Sequence, residues 1–278
     1  MIKLITLDID GTLLGKKKKV SSENIKAINE ARKKGIKICI ASGRALNRVD
    51  EIAHEIGVAD SQEYVITMNG AAIYKYDENK KPQLIQETLF PIEDVIYIYN
   101  AVLENGANCF SYSYDPDIAY IIRDKGLFIW FMKKISHRTI RIYEKDKMDQ
   151  KAYKIIIYGK KKQVDKIKKQ LEKRNYEIFS WSYVSGNTAN LEVNPNGVDK
   201  LYALQDLAKL ENIQQEEIMY FGDGDNDKKV ISWAGHGVAM KNASKDIKDI
   251  ADHITGHHKK SGVAKKIYEY LEELENAE

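Results

Sequence analysis

The stretch that decides the fold is Ile2-Lys3-Leu4-Ile5-Thr6-Leu7-Asp8-Ile9-Asp10-Gly11-Thr12. A short apolar run that stops at an acidic pair and a glycine reads as a buried strand delivering two carboxylates to the carboxyl edge of a sheet. Open α/β sheets bind their ligands at that edge. Asp8 and Asp10 stand two apart, so in a continued strand both project from one face, with the backbone of Ile9 exposed between them. Taken alone, Asp8 to Thr12 also fits a surface turn, and the far end of the chain decides between the two.

Near residue 220 a second apolar strand, Ile218 to Phe221, runs into Gly222-Asp223-Gly224-Asp225-Asn226-Asp227. If the two strands share a sheet, their carboxylates converge. Two unit charges about 4 Å apart repel by about 4 kcal/mol at an effective dielectric near 20. Such a cluster expects a cation. Oxygen ligands without His or Cys favour a hard ion, and Mg²⁺ with retained waters fits a site shared with phosphate. An EF-hand is rejected, because Lys228 stands where its turn glycine belongs and Ala234 where its bidentate Glu belongs.

With these residues in place, Asp8-Ile9-Asp10-Gly11-Thr12-Leu13-Leu14, Ala41-Ser42-Gly43-Arg44, Asn69-Gly70, Lys200 and Gly222-Asp223-Gly224-Asp225-Asn226-Asp227 resemble the motifs of the haloacid dehalogenase-like phosphatases. Their order and spacing resemble the Cof-type subfamily, which carries a large cap between its second and third motifs. The resemblance covers nearly the whole chain. It implies an α/β fold: a doubly wound parallel-sheet, Rossmann-like core with an inserted α+β cap domain. It also implies an Mg²⁺-dependent phosphatase for small phosphorylated metabolites such as sugar phosphates. In that scheme Asp8 is the nucleophile that forms an aspartyl-phosphate, and Asp10 is the general acid and base. Asp8, Asp223 and the backbone carbonyl of Asp10 hold the metal, with Asp227 ordering its water shell or serving as a further ligand. Ser42, Lys200, Asn226 and the amides of Ile9 and Gly43 hold the phosphoryl oxygens. A phosphomutase, and a phosphoacceptor switch that only accepts a phosphoryl group, remain alternatives; the large cap favours the hydrolase.

Bulk composition agrees with a folded, two-domain chain. Its 278 residues and 43% hydrophobic content suffice for two cores. Lys and Arg total 44 against 41 acids, a net +3, which is a weak argument for a nucleic-acid partner. The runs Lys16 to Lys19 and Lys160 to Lys162 lack interleaved aromatics and read as solvated faces. Cys39 and Cys109 form neither a CxxC pair nor a disulfide framework, so a reducing cytoplasm is the expected location. No leader with an apolar core and no run of membrane-spanning length is expected, and so no membrane partner. Oligomeric state and the identity of the metabolite are not legible.

In chain order, the pattern predicts a helix capped by Ser22 with Ile25, Ile28 and Ala31 inward, then a buried strand at Ile36 to Ala41. Ser42-Gly43 at the following turn can hold a phosphate oxygen, although Ser42 could equally cap a helix beginning near Ala45. A third strand, Tyr64 to Met68, closes at Asn69-Gly70. Around Lys80-Lys81-Pro82 a polar linker is expected. Pro91 then opens a helix with Val95, Ile98, Val102 and Leu103 inward. A hairpin of 108–114 and 117–123, a strand at 153–158, a Lys-rich helix at 161–174 and strands at 176–184 and 188–193 follow. The cap is placed at 84–187, between core segments 1–83 and 188–278, and residues 124–150 show no clear period. Val198, Leu201, Leu204, Leu207 and Ala208 mark a helix whose first turn holds Lys200, strands end at Met240 and Thr255, and 263–274 is a terminal helix. The pair His257-His258 reads as exposed and not as metal ligands.

Overall fold

The computed structural model describes residues 1–136, 138–180 and 187–276. The chain divides into two compact units, Met1–Gln86 with Lys200–Glu278, and Glu87–Asp199.

The first unit opens with β1 (Leu4–Leu7), whose residues are all buried. Ser21, one residue before the expected cap, accepts a hydrogen bond from the Asn24 amide and starts α1 (Ser22–Lys33). Next come β2 (Lys37–Ala41), α2 (Leu46–Glu55) and β3 (Tyr64–Thr67). No side chain caps α2, so Ser42 is free of that duty. After β3 come two strands the pattern does not predict, β4 (Ala72–Tyr76), antiparallel to β3, and β5 (Pro82–Glu87), the last strand at that edge of the sheet, and the polar stretch expected around Lys80-Lys81-Pro82 falls at the turn between them. β5 is largely exposed, Leu84 and Ile85 included, and shows no inward alternation, which an edge strand tolerates.

In the second unit, α3 (Ile92–Glu104) buries Val95, Ile98 and Val102, while Leu103 is 51% exposed and turns away from the core. β6 (Asn108–Ser113) and β7 (Ile118–Ile121) form the expected antiparallel pair. The stretch without a readable period holds α4 (Leu127–Ser136) and β8 (Thr139–Ile142), which runs parallel to β7. β9 (Ala152–Lys160), α5 (Lys161–Leu171), β10 (Glu177–Phe179) and β11 (Thr188–Asn194) complete a sheet ordered β10-β11-β9-β6-β7-β8. α3 and α5 cover one face over Ile155, Ile157, Leu191 and Val193, and α4 packs on Phe110, Ile121 and Ile156 of the other. The expected cap boundary at 187/188 is therefore corrected to 199/200. Leu191 and Val193 of β11 pair with Ile157 and Ile155 of β9, and their burial commits the strand to this second sheet. The expected strand beyond residue 180 lies outside the described residues.

The chain then returns to the first unit with α6 (Lys200–Leu210), β12 (Ile218–Gly222), α7 (Lys228–Trp233), β13 (His236–Ala239), α8 (Lys245–Lys248), β14 (His253–Ile254) and α9 (Gly262–Glu275). The sheet order is β14-β13-β12-β1-β2-β3-β4-β5, and every pairing from β14 to β3 is parallel. From β1 the chain winds outward through β2 and β3, and later from β12 outward in the opposite direction. Strand order thus reverses between β1 and β12, the place where a doubly wound sheet leaves a crevice at its carboxyl edge. Among the described residues no helix is long and apolar enough to cross a membrane.

Candidate active site

The carboxyl ends of β1 and β12 are stitched together by the Asp8 amide, which donates to the Phe221 carbonyl at 3.0 Å. β1 stops at Leu7, and the next residues do not continue it: Ile9–Leu13 form a tight helical turn containing Gly11 at φ 85°. The expectation that Asp8 and Asp10 share one strand face is therefore corrected. Asp8 turns inward and is 5% exposed, whereas the Asp10 side chain is 60% exposed and forms a two-pronged ion pair with Arg44 at 2.6 and 2.7 Å. Ile9 places its side chain in the core, and its carbonyl accepts from the Leu14 amide.

Gly11 is demanded twice. Its positive φ is accessible to glycine at little cost, and a Cβ there would stand 2.2 Å from an Asp223 carboxylate oxygen. Gly222 is held by contact alone, since its Cβ would meet the Asp227 carboxyl carbon at 2.5 Å. Backbone and carboxylate thus approach one another at the ends of both strands, which brings Asp8, Asp223 and Asp227 into one group with carboxylate oxygens within 4.8 Å of each other.

Lys200, fully buried at the start of α6, donates to Asp8 Oδ1 and Asp227 Oδ1 at 2.6 Å each. Tyr220 Oη also donates to Asp227 Oδ1, and the amides of Asp223 and Gly224 donate to Asp227 Oδ2. Asp227 is consequently spanned by four donors, and direct ligation of an ion by it requires one of them to leave. Asp223 is held more loosely: Thr12 Oγ1 donates to Oδ1 at 2.9 Å and Asn242 Nδ2 to Oδ2 at 3.0 Å. Ser42 is buried at the end of β2, with Gly43 directly after it, and its Oγ accepts from the Arg44 amide. Asn69, at φ 58°, donates its amide to the Ser42 carbonyl and accepts from Asn226 Nδ2 at 2.9 Å. Two hydrogen bonds through Asn69 thus tie the turn after β2 to the turn after β12.

Electrostatics follow from this crowding. Burial raises Asp8 well above the usual carboxylate range, Lys200 pulls it down, and the charges of Asp227 and Asp223 raise it further. Burial, with the Asp227 charge next, pushes Asp223 up to about 7. Burial works against the Lys200 ammonium, but Asp227 and Asp8 outweigh it and the ammonium is retained. Asp10 goes the other way: partial desolvation would raise it, and the Arg44 hydrogen bonds and charge hold it below the usual value. Three carboxylates against one ammonium leave the pocket short of positive charge, and its donor atoms near Asp8 and Asp223 are oxygens. A hard cation fits this set.

Motif reading brings Asp8, Ser42, Lys200, Asn226, Asp223 and Asp227 to one edge. It does not single out Thr12, Tyr220 or Asn242, which hold the acids in place. Thr12 lies inside the first acidic motif, but Tyr220 and Asn242 carry no local signal. The His257-His258 pair is half-buried and not simply exposed: the His258 Nδ1 donates to the Leu14 carbonyl at 2.7 Å, and His257 Nδ1 accepts from the Lys259 amide.

The family model of the haloacid dehalogenase-like hydrolases matches residues 5–267. The chain is 29% identical over 274 residues to the 5-amino-6-(5-phospho-D-ribitylamino)uracil phosphatase YcsE of Bacillus subtilis (strain 168), covering 97% of this chain and 96% of that protein. It is 30% identical over 285 residues to phosphatase YwpJ of the same organism, covering 95% and 98%. A crystal structure of a haloacid dehalogenase-like hydrolase from Bacteroides thetaiotaomicron superposes with a TM-score of 0.80 at 28% identity, covering 97% of this chain and 100% of that one. A match that runs almost from end to end, joined to the fold of a solved member, means that the chain belongs to the haloacid dehalogenase-like hydrolases, in their Cof-type branch, and is a phosphatase.

Proposed function

We propose that the enzyme hydrolyses small phosphomonoesters, sugar phosphates or similar metabolites, through an aspartyl-phosphate on Asp8, with Mg²⁺ as cofactor. The observation that carries this reading is Asp8 itself, a buried carboxylate held at 2.6 Å by Lys200 at the carboxyl edge of the sheet, beside Asp223. Asp8 and Asp223, with the Asp10 carbonyl, would hold the ion, and Asp227 would order its water shell while positioning Lys200. Mg²⁺ would supply charge neutralisation at the phosphoryl oxygens.

One Asp8 oxygen attacks phosphorus as the bond to the substrate oxygen breaks, and Asp10 gives its proton to the departing alkoxide. Water then attacks phosphorus, its proton passes to Asp10, and the bond to Asp8 breaks to release inorganic phosphate. Asp10 is committed to Arg44 in this structure, so the acid role requires that ion pair to open when substrate arrives. Lys200, Ser42, Asn226 and the amides of Ile9 and Gly43 would hold the oxygens over which charge spreads. The same reading places the enzyme in a reducing cytoplasm, consistent with Cys39 and Cys109 as buried free thiols.

The test is phosphate release from p-nitrophenyl phosphate, then from a panel of sugar phosphates, pyridoxal phosphate, flavin mononucleotide and the substrate for which YcsE is named. Steady turnover with Mg²⁺, silenced by EDTA and restored by excess Mg²⁺, is expected. Full activity in chelator overturns the metal assignment, and a single burst without turnover overturns the hydrolase.

A further inference from the structure

We infer that Asn242 is a positioning residue that presents Asp223 to the metal ion, an inference that rests on the reading of Asp223 as a metal ligand. Asn242 lies in the segment between β13 and α8, remote in sequence from both acidic turns. Its Nδ2 donates to Asp223 Oδ2 at 3.0 Å and to the Gly11 carbonyl at 2.8 Å. Its Oδ1 accepts from the His258 amide at 3.1 Å. A backbone amide can only donate and a carbonyl or carboxylate oxygen can only accept, so all three contacts agree on one orientation of the side-chain amide. The oxygen must face His258, and the NH₂ must face the acidic turns.

One primary amide therefore joins three loops: the turn after β1, the turn after β12, and the loop leading into α9. The last of these is itself anchored on the first, because His258 Nδ1 donates to the Leu14 carbonyl. The consequence for Asp223 is geometric. Thr12 supplies one neutral donor to Oδ1 and Asn242 one to Oδ2, which fixes the plane of the carboxylate while leaving a lone pair on each oxygen. That arrangement suits a ligand more than a closed ion pair. Asp227 is the contrast, with four donors including the Lys200 ammonium. Gly11 lets the arrangement close, since any Cβ at that position would collide with the Asp223 carboxylate that Asn242 holds. Hydrogen bonds to the outer lone pairs of a ligating group commonly change metal affinity by about 10- to 100-fold.

The experiment uses the whole chain and reads Mg²⁺ binding by calorimetry without substrate, alongside the Mg²⁺ concentration for half-maximal turnover. Asn242→Leu keeps the approximate size but neither donates nor accepts and adds no charge; Asn242→Ala removes the bulk as well. Both variants should weaken Mg²⁺ binding about tenfold and raise the Mg²⁺ requirement in parallel, with KM at saturating Mg²⁺ within about twofold of wild type. Circular dichroism and thermal unfolding without metal report on the fold, and Asn242→Leu carries the test if Asn242→Ala unfolds. Unchanged Mg²⁺ affinity in folded Asn242→Leu, or a loss confined to KM, overturns the positioning role. If wild-type protein and Asp223→Ala bind Mg²⁺ equally, the assignment of Asp223 as a ligand fails instead.

Discussion

At Lys200 a single buried ammonium is shared between Asp8 and Asp227, so its removal leaves two carboxylates facing each other without a counter-charge. Breaking a buried ion pair from one side costs about 3–5 kcal/mol. Lys200→Met should lower stability by that order in urea unfolding, and added Mg²⁺ should return part of it. A loss under about 1 kcal/mol would show that the carboxylates simply take up protons. Asp8→Asn tests the chemistry without a volume change: the amide neither attacks phosphorus nor carries charge to the cation. Turnover should fall by more than about 10³-fold in a protein whose circular dichroism is unchanged, and retained kcat removes Asp8 from its role. At this scale the acids are legible in the chain because they sit beside their strands. Asn242 is not, since an asparagine near a helix start looks like any cap until the loop bearing it meets the other two.

Among the elements, α1 and β14 carry separable tests. Ser21 accepts from the Asn24 amide at 3.2 Å and its hydroxyl lies 2.8 Å from that of Ser261. Ser21→Ala should cost about 1 kcal/mol, seen as a lower Tm, while Ser22→Ala should cost little. β14 contributes a pH dependence through His253, which stacks on His236 of β13 at 6.0 Å. Burial foremost, then the charges of Lys266 and His236, hold His253 below its ordinary value, against the opposing carboxylates of Asp252 and Glu273. Between that lowered value and about 6.5 the unfolded chain binds a proton that the folded chain refuses. The stability is therefore present above about 6.5 and lost as pH falls below it. Denaturant midpoints from pH 7.5 down to 5.5 should drop less in His253→Asn than in wild type; equal slopes would remove His253 as the cause. Helices α3 and α9 are legible from their apolar spacing. β5, β8 and α4 are not, because an edge strand need not alternate and α4 leaves Leu127, Trp130 and Phe131 exposed.

For the whole molecule, we expect the second unit to govern substrate choice without supplying the chemistry, because every acid of the site belongs to the first unit. Of the aromatics that could serve, Tyr120 is tied to Asp149, and Tyr112 has both Lys154 Nζ and Arg138 Cζ at 5.1 Å from its ring centroid; Trp181 and Tyr183 lie outside the described residues. Tyr114 is 55% exposed and the better probe. Tyr114→Ala should reduce kcat/KM for the preferred metabolite severalfold more than for p-nitrophenyl phosphate, since contacts remote from phosphorus add differential binding. Equal reductions would assign the unit to general closure. The doubly wound core, the inserted second unit and the acidic character of the site are readable from residue order alone, because strands, turns and carboxylates are local patterns and their succession constrains the topology. Three things needed the folded chain. The extent of the second unit through Asp199 depends on β11 pairing with β9 from Thr188 to Val193, a partner its own residues do not name. The divergence of Asp8 and Asp10 depends on where β1 stops and on the turn that follows, whose Gly11 takes a positive φ and lies where a side chain would meet the Asp223 carboxylate. The support of Asp223 by Thr12 and Asn242 depends on loops far apart in sequence meeting at one edge, and hydrogen bonds across such distances leave no periodic trace in the chain.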